Sequence, residues 1–193
     1  MTLSFIEKIK GFLFNPRESF QKVRAEEPGE TIKYFMIIAV FYSIMATIMT
    51  VANVFTHPFI GTPQDPLLEP LLILSWAFVI LVFTLISAVI FGFWLHLWVY
   101  IVGGRKGIWP TEKSVFYNLT PMMMIGWIPV IGAIVGAFWS IIIGIIGIRE
   151  LHEISDTRAA IAVIVAVLLG GIIIFVILFA FLLAVIASAP IAF

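Results

Sequence analysis

Four long uncharged runs dominate the pattern of hydrophobic and polar positions along this chain. They cover residues 34–55, 71–102, 130–148 and 159–187, and each is long enough to cross a hydrocarbon core about 30 Å thick as an α-helix. Four prolines and a glycine between residues 56 and 70 predict a loop after the first run. The pattern therefore predicts an all-α, polytopic integral membrane helical bundle.

The second run is longer than a bilayer requires. Its 32 residues would form a straight helix about 48 Å long. We therefore expect this helix to tilt, to protrude into water or to break, and Gly92 is the weakest point for a break.

The segment before the third run allows two interpretations. Residues 113–128 are moderately apolar and number only 16, which corresponds to a helix of about 24 Å. Either one 30-residue helix runs from residue 119 to 148, or a short span ends at a sharp turn near Trp127, Ile128 and Pro129 and a further span follows. The first interpretation gives four spans and the second gives five.

The positions of lysine and arginine favour five spans. Membrane proteins carry their excess Lys and Arg in cytoplasmic loops. With five spans all eleven cations lie on one side, whereas four spans place Arg149 and Arg158 opposite the other nine. We therefore predict five transmembrane helices, with residues 113–128 as a short or re-entrant third span. The N-terminus is then cytoplasmic and the C-terminus lies outside the cell membrane.

Residues 1–30 are predicted to form cytoplasmic helices, separate from the transmembrane domain of residues 31–193. Lys8 and Lys10 lie opposite a stripe of apolar residues at three- and four-residue spacing: Phe5, Ile6, Ile9, Phe12 and Leu13. This is the pattern of an amphipathic helix in the membrane interface. The alternatives are a helix packed on the cytoplasmic ends of the spans and a helix that anchors the membrane or docks a partner.

A second short helix is predicted to begin at Pro16. Asn15 can cap it, and Glu18 supplies the carboxylate of a capping box. Phe20 and Val23 continue an apolar face after this start.

Composition agrees with a membrane protein and excludes several functions. Hydrophobic residues make up 62% of the chain and charged residues 11%, against about 45–50% and about 25% in soluble domains. Eleven cationic and eleven acidic side chains leave no basic excess for nucleic acid. Cysteine is absent, which excludes disulfides, thiolate metal sites and cysteine nucleophiles.

Histidines and serines are the candidates for chemistry. His96 lies within a predicted span, where an ionisable group is costly, and it is either a structural histidine near the cytoplasmic interface or a proton relay or ligand. His152 lies in the charged loop 149–158, and the histidines show no metal-ligand spacing. Each serine in a span is isolated among apolar neighbours, so we predict no catalytic residue, no metal and no cofactor.

A polar site inside the membrane is a further candidate. Proline and asparagine at membrane depth release backbone groups that can bind a substrate or an ion at a broken helix. The residues concerned, together with His96, are Asn118, Thr120, Pro121 and Pro129. The alternative is a kink whose polar groups are satisfied by neighbouring helices.

The second half of the chain resembles the Yip domain family of Ypt/Rab-interacting multi-span membrane proteins. The resemblance rests on VGGRKG, SVFYNLTPMM, WIPVIGAI and GIIGIRELHEISDTRAA, in this order. The matching positions are Gly103, Gly104, Tyr117, Thr120, Pro121, Ile128, Pro129, Gly132, Gly147, His152, Ser155, Arg158 and Ala159. The early Phe14, Asn15 and Pro16, with Phe20, match the family's N-terminal run.

The resemblance implies five spans and a cytoplasmic N-terminus, and it is to the compact, prokaryotic type of member. Eukaryotic members of the family act in vesicle traffic and bind prenylated small GTPases. The short N-terminal extension and the compact form make small-GTPase binding doubtful in this chain.

We predict a non-enzymatic protein that organises the membrane or recruits a partner at its cytoplasmic face. Membrane lipids, a protein and a second copy of the chain are the expected partners. The residues predicted to bind them are Arg105, Lys106, His152, Ser155, Arg158, Phe12 and Phe20. The alternative is a small transporter or ion channel that uses His96 and the proline-interrupted segment 118–132.

Overall fold

A computed structural model describes residues 3–51 and 68–188, and every regular element in those ranges is an α-helix. The all-α class is therefore confirmed. The helices are α1 (Phe5–Phe14), α2 (Pro16–Val23), α3 (Pro28–Val51), α4 (Leu68–Ile101), α5 (Ile108–Asn118), α6 (Thr120–Ile125), α7 (Ile131–His152) and α8 (Asp156–Ser188).

Among the described residues, four helices are long and apolar enough to cross a membrane. They are α3, α4, α7 and α8, and they contain nearly all of the four uncharged runs. Val102 and Val130 lie just outside α4 and α7, and residues 52–55 lie outside the described ranges. α3 begins at Pro28 instead of residue 34, so its first turns carry charged residues. The chain is an integral membrane protein by the length and composition of these helices.

The long second run forms one unbroken helix. α4 contains 34 residues, which corresponds to about 51 Å, and it continues through Gly92. Of the three expected outcomes, a break at Gly92 is therefore excluded. Glu112 of α5 packs directly against Gly92.

The predicted third span at residues 113–128 is divided between two short helices. Leu119 separates α5 from α6 but keeps a helical conformation, with φ −73° and ψ −6°, so the chain continues in nearly the same direction. The chain then turns between α6 and α7, where Val130 has φ 58°. One helix over residues 119–148 is therefore wrong, and the turn predicted near Trp127 and Pro129 is confirmed.

α7 runs back along α5 and α6 in the antiparallel direction. Small residues on a helix let a neighbouring backbone approach closely. Four glycines of α7 lie against α5 and α6, and the order of their partners is reversed along the chain, as expected for antiparallel helices. The pairs are Gly132 with Ile125, Gly136 with Met122, Gly144 with Asn118, and Gly147 with Ser114.

The two N-terminal helices pack on the bundle through aromatic side chains. Phe12 stacks on Tyr117 with 4.2 Å between ring centroids, and Phe20 meets Phe12 edge-on at 4.9 Å. The face that packs differs from the predicted one, because Lys8 is only 4% exposed whereas Ile6 is 62% exposed. Lys8 is buried because it forms an ion pair with Glu26.

The predicted start of α2 is correct, but its predicted cap is wrong. The Asn15 side chain makes no capping hydrogen bond, and Glu18 instead pairs with Lys22 at 2.7 Å. A capping box occurs at α1, where the Ser4 backbone N–H donates to Glu7 at 2.8 Å and Ser4 Oγ accepts from the Glu7 N–H at 3.4 Å. The Glu18 carboxylate does not cap α2, because Lys22, one turn later in the helix, pairs with it instead.

Candidate functional site at the charged end of the bundle

Three separate segments meet at one end of the bundle through Glu153. Its carboxylate accepts hydrogen bonds from Arg24 at 2.7 Å and from Lys106 at 2.6 Å. Lys106 belongs to the turn between α4 and α5, Arg24 follows α2, and Glu153 follows α7. The hydrogen bond and the charge of Lys106 hold the pKa of Glu153 below its usual range. We call the surface formed by these segments the charged end.

Glu150 attaches α2 to the last turn of α7. Its carboxylate accepts from Arg17 Nε at 3.1 Å and from Gln21 Nε2 at 3.0 Å, and its backbone carbonyl accepts from Arg24 at 2.6 Å. The Glu150 side chain is 8% exposed, so these bonds are largely shielded from water.

Lys113 of α5 binds the C-terminal end of α2. Its ammonium donates to the backbone carbonyls of Val23, Arg24 and Glu26 at 3.0, 3.1 and 2.6 Å. Carbonyls at a helix C-terminus lack partners within the helix and carry partial negative charge, which a lysine neutralises. In the sequence, Lys113 counted only among the eleven cations predicted to lie on one side of the membrane, and this contact was not predicted.

Glu26 is the centre of a buried cluster beneath α1. One carboxylate oxygen pairs with Lys8, and the other accepts from the Tyr117 hydroxyl. The Lys8 ammonium also lies 5.8 Å from the ring centroids of Tyr34 and Tyr117. This cluster joins three distant segments, so α1 is part of the folded bundle.

Phe12 and Phe20, which we predicted to bind a partner, are fully buried. Phe12 stacks on Tyr117, and the Phe20 ring lies against Gly147. Both rings therefore anchor the N-terminal helices to the bundle in this conformation and are absent from its surface.

His152 is not a solvated loop residue, as the sequence suggested, but the last residue of α7, and it is 3% exposed. Its Nε2 lies 2.9 Å from the Thr111 hydroxyl, which also lies 2.9 Å from His96 Nδ1. The three side chains link α4, α5 and α7. The second ring nitrogen of His152 is buried next to Gly104 and has no hydrogen-bond partner among the residues that the structure describes.

The remaining predicted binding residues are exposed at the charged end. Arg105 stacks 3.6 Å from the Tyr100 ring centroid and donates to the Tyr100 carbonyl at 2.7 Å. Ser155 Oγ accepts from the Arg158 backbone N–H at 3.4 Å at the start of α8. The Arg158 guanidinium lies beside Gly103 of the α4–α5 turn. Both arginines therefore flank the same turn.

The residues predicted as one polar site inside the membrane make different contacts. Thr120 bonds to the Tyr34 hydroxyl at 2.9 Å, with its own hydroxyl 2.7 Å from the Tyr117 carbonyl. His96 contacts Thr111 instead, and the remaining members lie elsewhere: Asn118 packs against Gly144, Pro121 lies in the first turn of α6, and Pro129 lies in the turn before α7.

Glu112 is a buried acid that the sequence reading did not single out. It is 6% exposed, and neither carboxylate oxygen has a hydrogen-bond partner in the described part of the chain. Its carboxyl group fills the space beside Gly92, one helical turn from His96. Among the described residues, no three acidic or histidine side chains are grouped in a way that could hold a metal ion.

Comparison with known proteins identifies one family. The family model described as the Yip1 domain matches residues 10–178, which is most of the chain. No curated protein and no solved structure matches the chain. The matched range includes α2 to α7 complete and the whole charged end.

Proposed function

The chain belongs to the Yip1 domain family, and from this membership we propose that it recruits a protein or a lipid at the charged end and catalyses no reaction. The observation that carries the proposal is the double ion pair of Glu153. It holds three segments together as one exposed surface, to which Arg105 and Arg158 add cations without a carboxylate partner among the described residues. Small-GTPase binding stays doubtful.

The packing of α7 supports five crossings. α4 ends at the charged end, and α7 returns to it at His152 from a start beside Ile125. α5 and α6 therefore carry the chain along the length of α7. Residues 108–125, which include Leu119, number 18 and correspond to about 27 Å, close to the ~30 Å of a hydrocarbon core. The backbone at Leu119 stays hydrogen-bonded, because its N–H donates to the Val115 carbonyl at 3.2 Å and its carbonyl accepts from the Met123 N–H at 2.9 Å, which makes the junction tolerable within a membrane.

The distribution of cations supports a cytoplasmic charged end. Lys and Arg are retained on the cytoplasmic side during insertion. Cations from three distant segments lie at this end: Arg24 after α2, Lys106 between α4 and α5, and Arg158 at the start of α8. With five crossings, the N-terminus is then cytoplasmic and the C-terminus lies outside.

Single cysteines test this topology, since the natural sequence contains none. Lys10→Cys and Thr157→Cys should resist a membrane-impermeant maleimide in intact cells and react in inverted vesicles. Val130→Cys, at an exposed position of the opposite turn, should show the reverse. Labelling of residue 157 from outside would exclude five crossings with a cytoplasmic N-terminus.

A photo-crosslinking amino acid in the full chain tests recruitment. Placed at Thr157, it should give a defined adduct in cells that disappears in the Arg105→Gln/Arg158→Gln variant. Lys22→Gln is the matched control, because Lys22 is already paired with Glu18. Ile134, exposed near the opposite turn, gives the background. Adducts at residue 157 that match this background, or that survive loss of both arginines, would reject the proposal.

Glu112 is the one observation that favours the alternative of transport. A buried acid without a partner inside a membrane protein is a default candidate for a proton or ion pathway. If the protein transports, proteoliposomes should dissipate an imposed proton gradient, and Glu112→Gln, His96→Ala or Asn118→Ala should abolish this. A gradient that decays at the rate of empty liposomes would exclude the proton pathway.

A further inference from the structure

A large groove lies between the helices on the side away from the charged end. It has a volume of about 970 Å³ and is lined by residues of α3, α4, α6 and α8. The groove closes toward the charged end at Trp94, whose indole N–H donates to the Ala166 carbonyl of α8 at 2.9 Å. Beyond this contact α4 and α8 are separated, with Phe83 and Ile173 among the lining residues.

The wall of the groove is almost entirely apolar. Its lining includes five residues with a polar side-chain group, Tyr42, Trp76, Thr84, Ser87 and Trp94. Two of these groups are already bonded, the Trp94 N–H to the Ala166 carbonyl at 2.9 Å and the Ser87 hydroxyl to the Thr84 carbonyl at 3.1 Å. A ligand in the groove therefore finds few groups with which to form hydrogen bonds. The hydrophobic effect and van der Waals contacts are the available attractions.

The groove is long and its volume lies within the range of small-ligand pockets. Along α4 it extends from Trp76 to Trp94, which is about 27 Å at 1.5 Å per residue. Pockets for small ligands have volumes of about 300–1,000 Å³, so a single flexible molecule fits.

The groove is continuous with the surface that faces lipid. Every residue of α8 from 171 to 184 is exposed, and these residues are almost all large and apolar. Phe83 and Ile173, which line the groove, are themselves 72% and 46% exposed. A hydrocarbon chain can therefore enter sideways from the bilayer without crossing a polar barrier.

We propose that this groove binds a hydrocarbon chain of a membrane phospholipid, which enters laterally between α4 and α8. The bound chain fills the space between the helices and completes the packing of the bundle in this half of the membrane. The inference is independent of recruitment at the charged end, because it requires only that the protein is embedded in a bilayer.

Photolabelling of the full-length protein tests the inference directly. The protein is reconstituted in phosphatidylcholine vesicles that contain a phosphatidylcholine with a diazirine in one acyl chain. After irradiation and digestion, adducts are expected at groove residues such as Phe83, Met122 and Ile173. They should exceed those at Phe138 and Phe179, which are exposed outside the groove. Equal labelling at all these positions would overturn the proposal.

A matched pair of substitutions separates groove binding from general lipid contact. Ala46→Phe adds a ring inside the groove, and Ala180→Phe adds the same ring on exposed α8. Ala46→Phe should eliminate the adducts at Ile173, whereas Ala180→Phe should leave them unchanged. Crosslinks in the unsubstituted protein between groove residues and a second copy, or residues 52–67, would identify another occupant and overturn the proposal.

Discussion

The carboxyl group of Glu112 occupies the space that a side chain at Gly92 would need. A β-carbon at residue 92 would lie closer than 3.0 Å to the carboxyl atoms of residue 112. A methyl group at residue 92 would therefore force the end of the Glu112 side chain to move. Gly92 was expected to be a weak point of its helix, and in the structure it is a contact between α4 and α5.

Gly92→Ala should be less stable than Gly171→Ala by up to about 1 kcal/mol, because the added methyl group forces the flexible end of Glu112 to move. Combined with Glu112→Ala, the same change should cost less than the sum of the two single substitutions, because the carboxyl group that it meets is gone. Thermal unfolding in detergent measures all three variants. Gly171→Ala is the control, since its β-carbon would meet nothing within 4 Å. Additive effects would show that the contact is unimportant.

Lys113→Met should loosen the N-terminal helices without unfolding the bundle. The substitution removes the donor to three backbone carbonyls at the end of α2, worth about 1–2 kcal/mol. Hydrogen exchange of residues 16–26 should become faster, while exchange in α7 should not change. Lys10→Met, at an exposed position of α1, serves as control. Unchanged exchange in α2 after Lys113→Met would contradict this role.

Thr111→Val should destabilise the contact between α4, α5 and α7. It preserves the shape of the side chain but leaves a nitrogen of His96 and one of His152 without a partner. An unsatisfied buried polar group costs about 1–3 kcal/mol. The midpoint of denaturant unfolding should therefore fall, whereas the exposed change Thr157→Val should leave it nearly constant. Equal midpoints for the two variants would refute a structural role for Thr111.

Acid should weaken the junction at Glu153. Because its pKa in the folded protein is lowered, mainly by Lys106, the ion pairs stabilise the fold above the ordinary pKa of a glutamate. This stabilisation is lost as the pH falls through the lowered pKa. Exchange of residues 20–26 should therefore accelerate on acidification, and also in high salt, since the junction is exposed.

Glu153→Gln is the test of that assignment. The variant should show fast exchange in residues 20–26 at neutral pH and a smaller further change on acidification or on addition of salt. If the variant keeps the full acid and salt response, that response belongs to other carboxylates, such as Glu150 and Asp156, which both pair with Arg149.

The sequence was least informative about polar residues whose partners are distant along the chain. Lys8 pairs with Glu26, 18 residues away, and Lys113 meets carbonyls about 90 residues away. His152 has four charged residues among its near neighbours in sequence, which suggested a solvated loop, yet it is buried against Thr111. Hydropathy describes each position alone and cannot show a partner on another helix.

The sequence by itself determined four membrane helices, α3, α4, α7 and α8, and predicted that the cations share one side. Both follow from local properties, since an uncharged run of sufficient length is stable in a bilayer only as a helix. Only the tertiary structure decided that α5 and α6 run the length of α7, that Phe12 and Phe20 are internal, and that Glu112 rests on a glycine. These outcomes depend on close packing between helices, which fixes the surroundings of each side chain after the helices have formed.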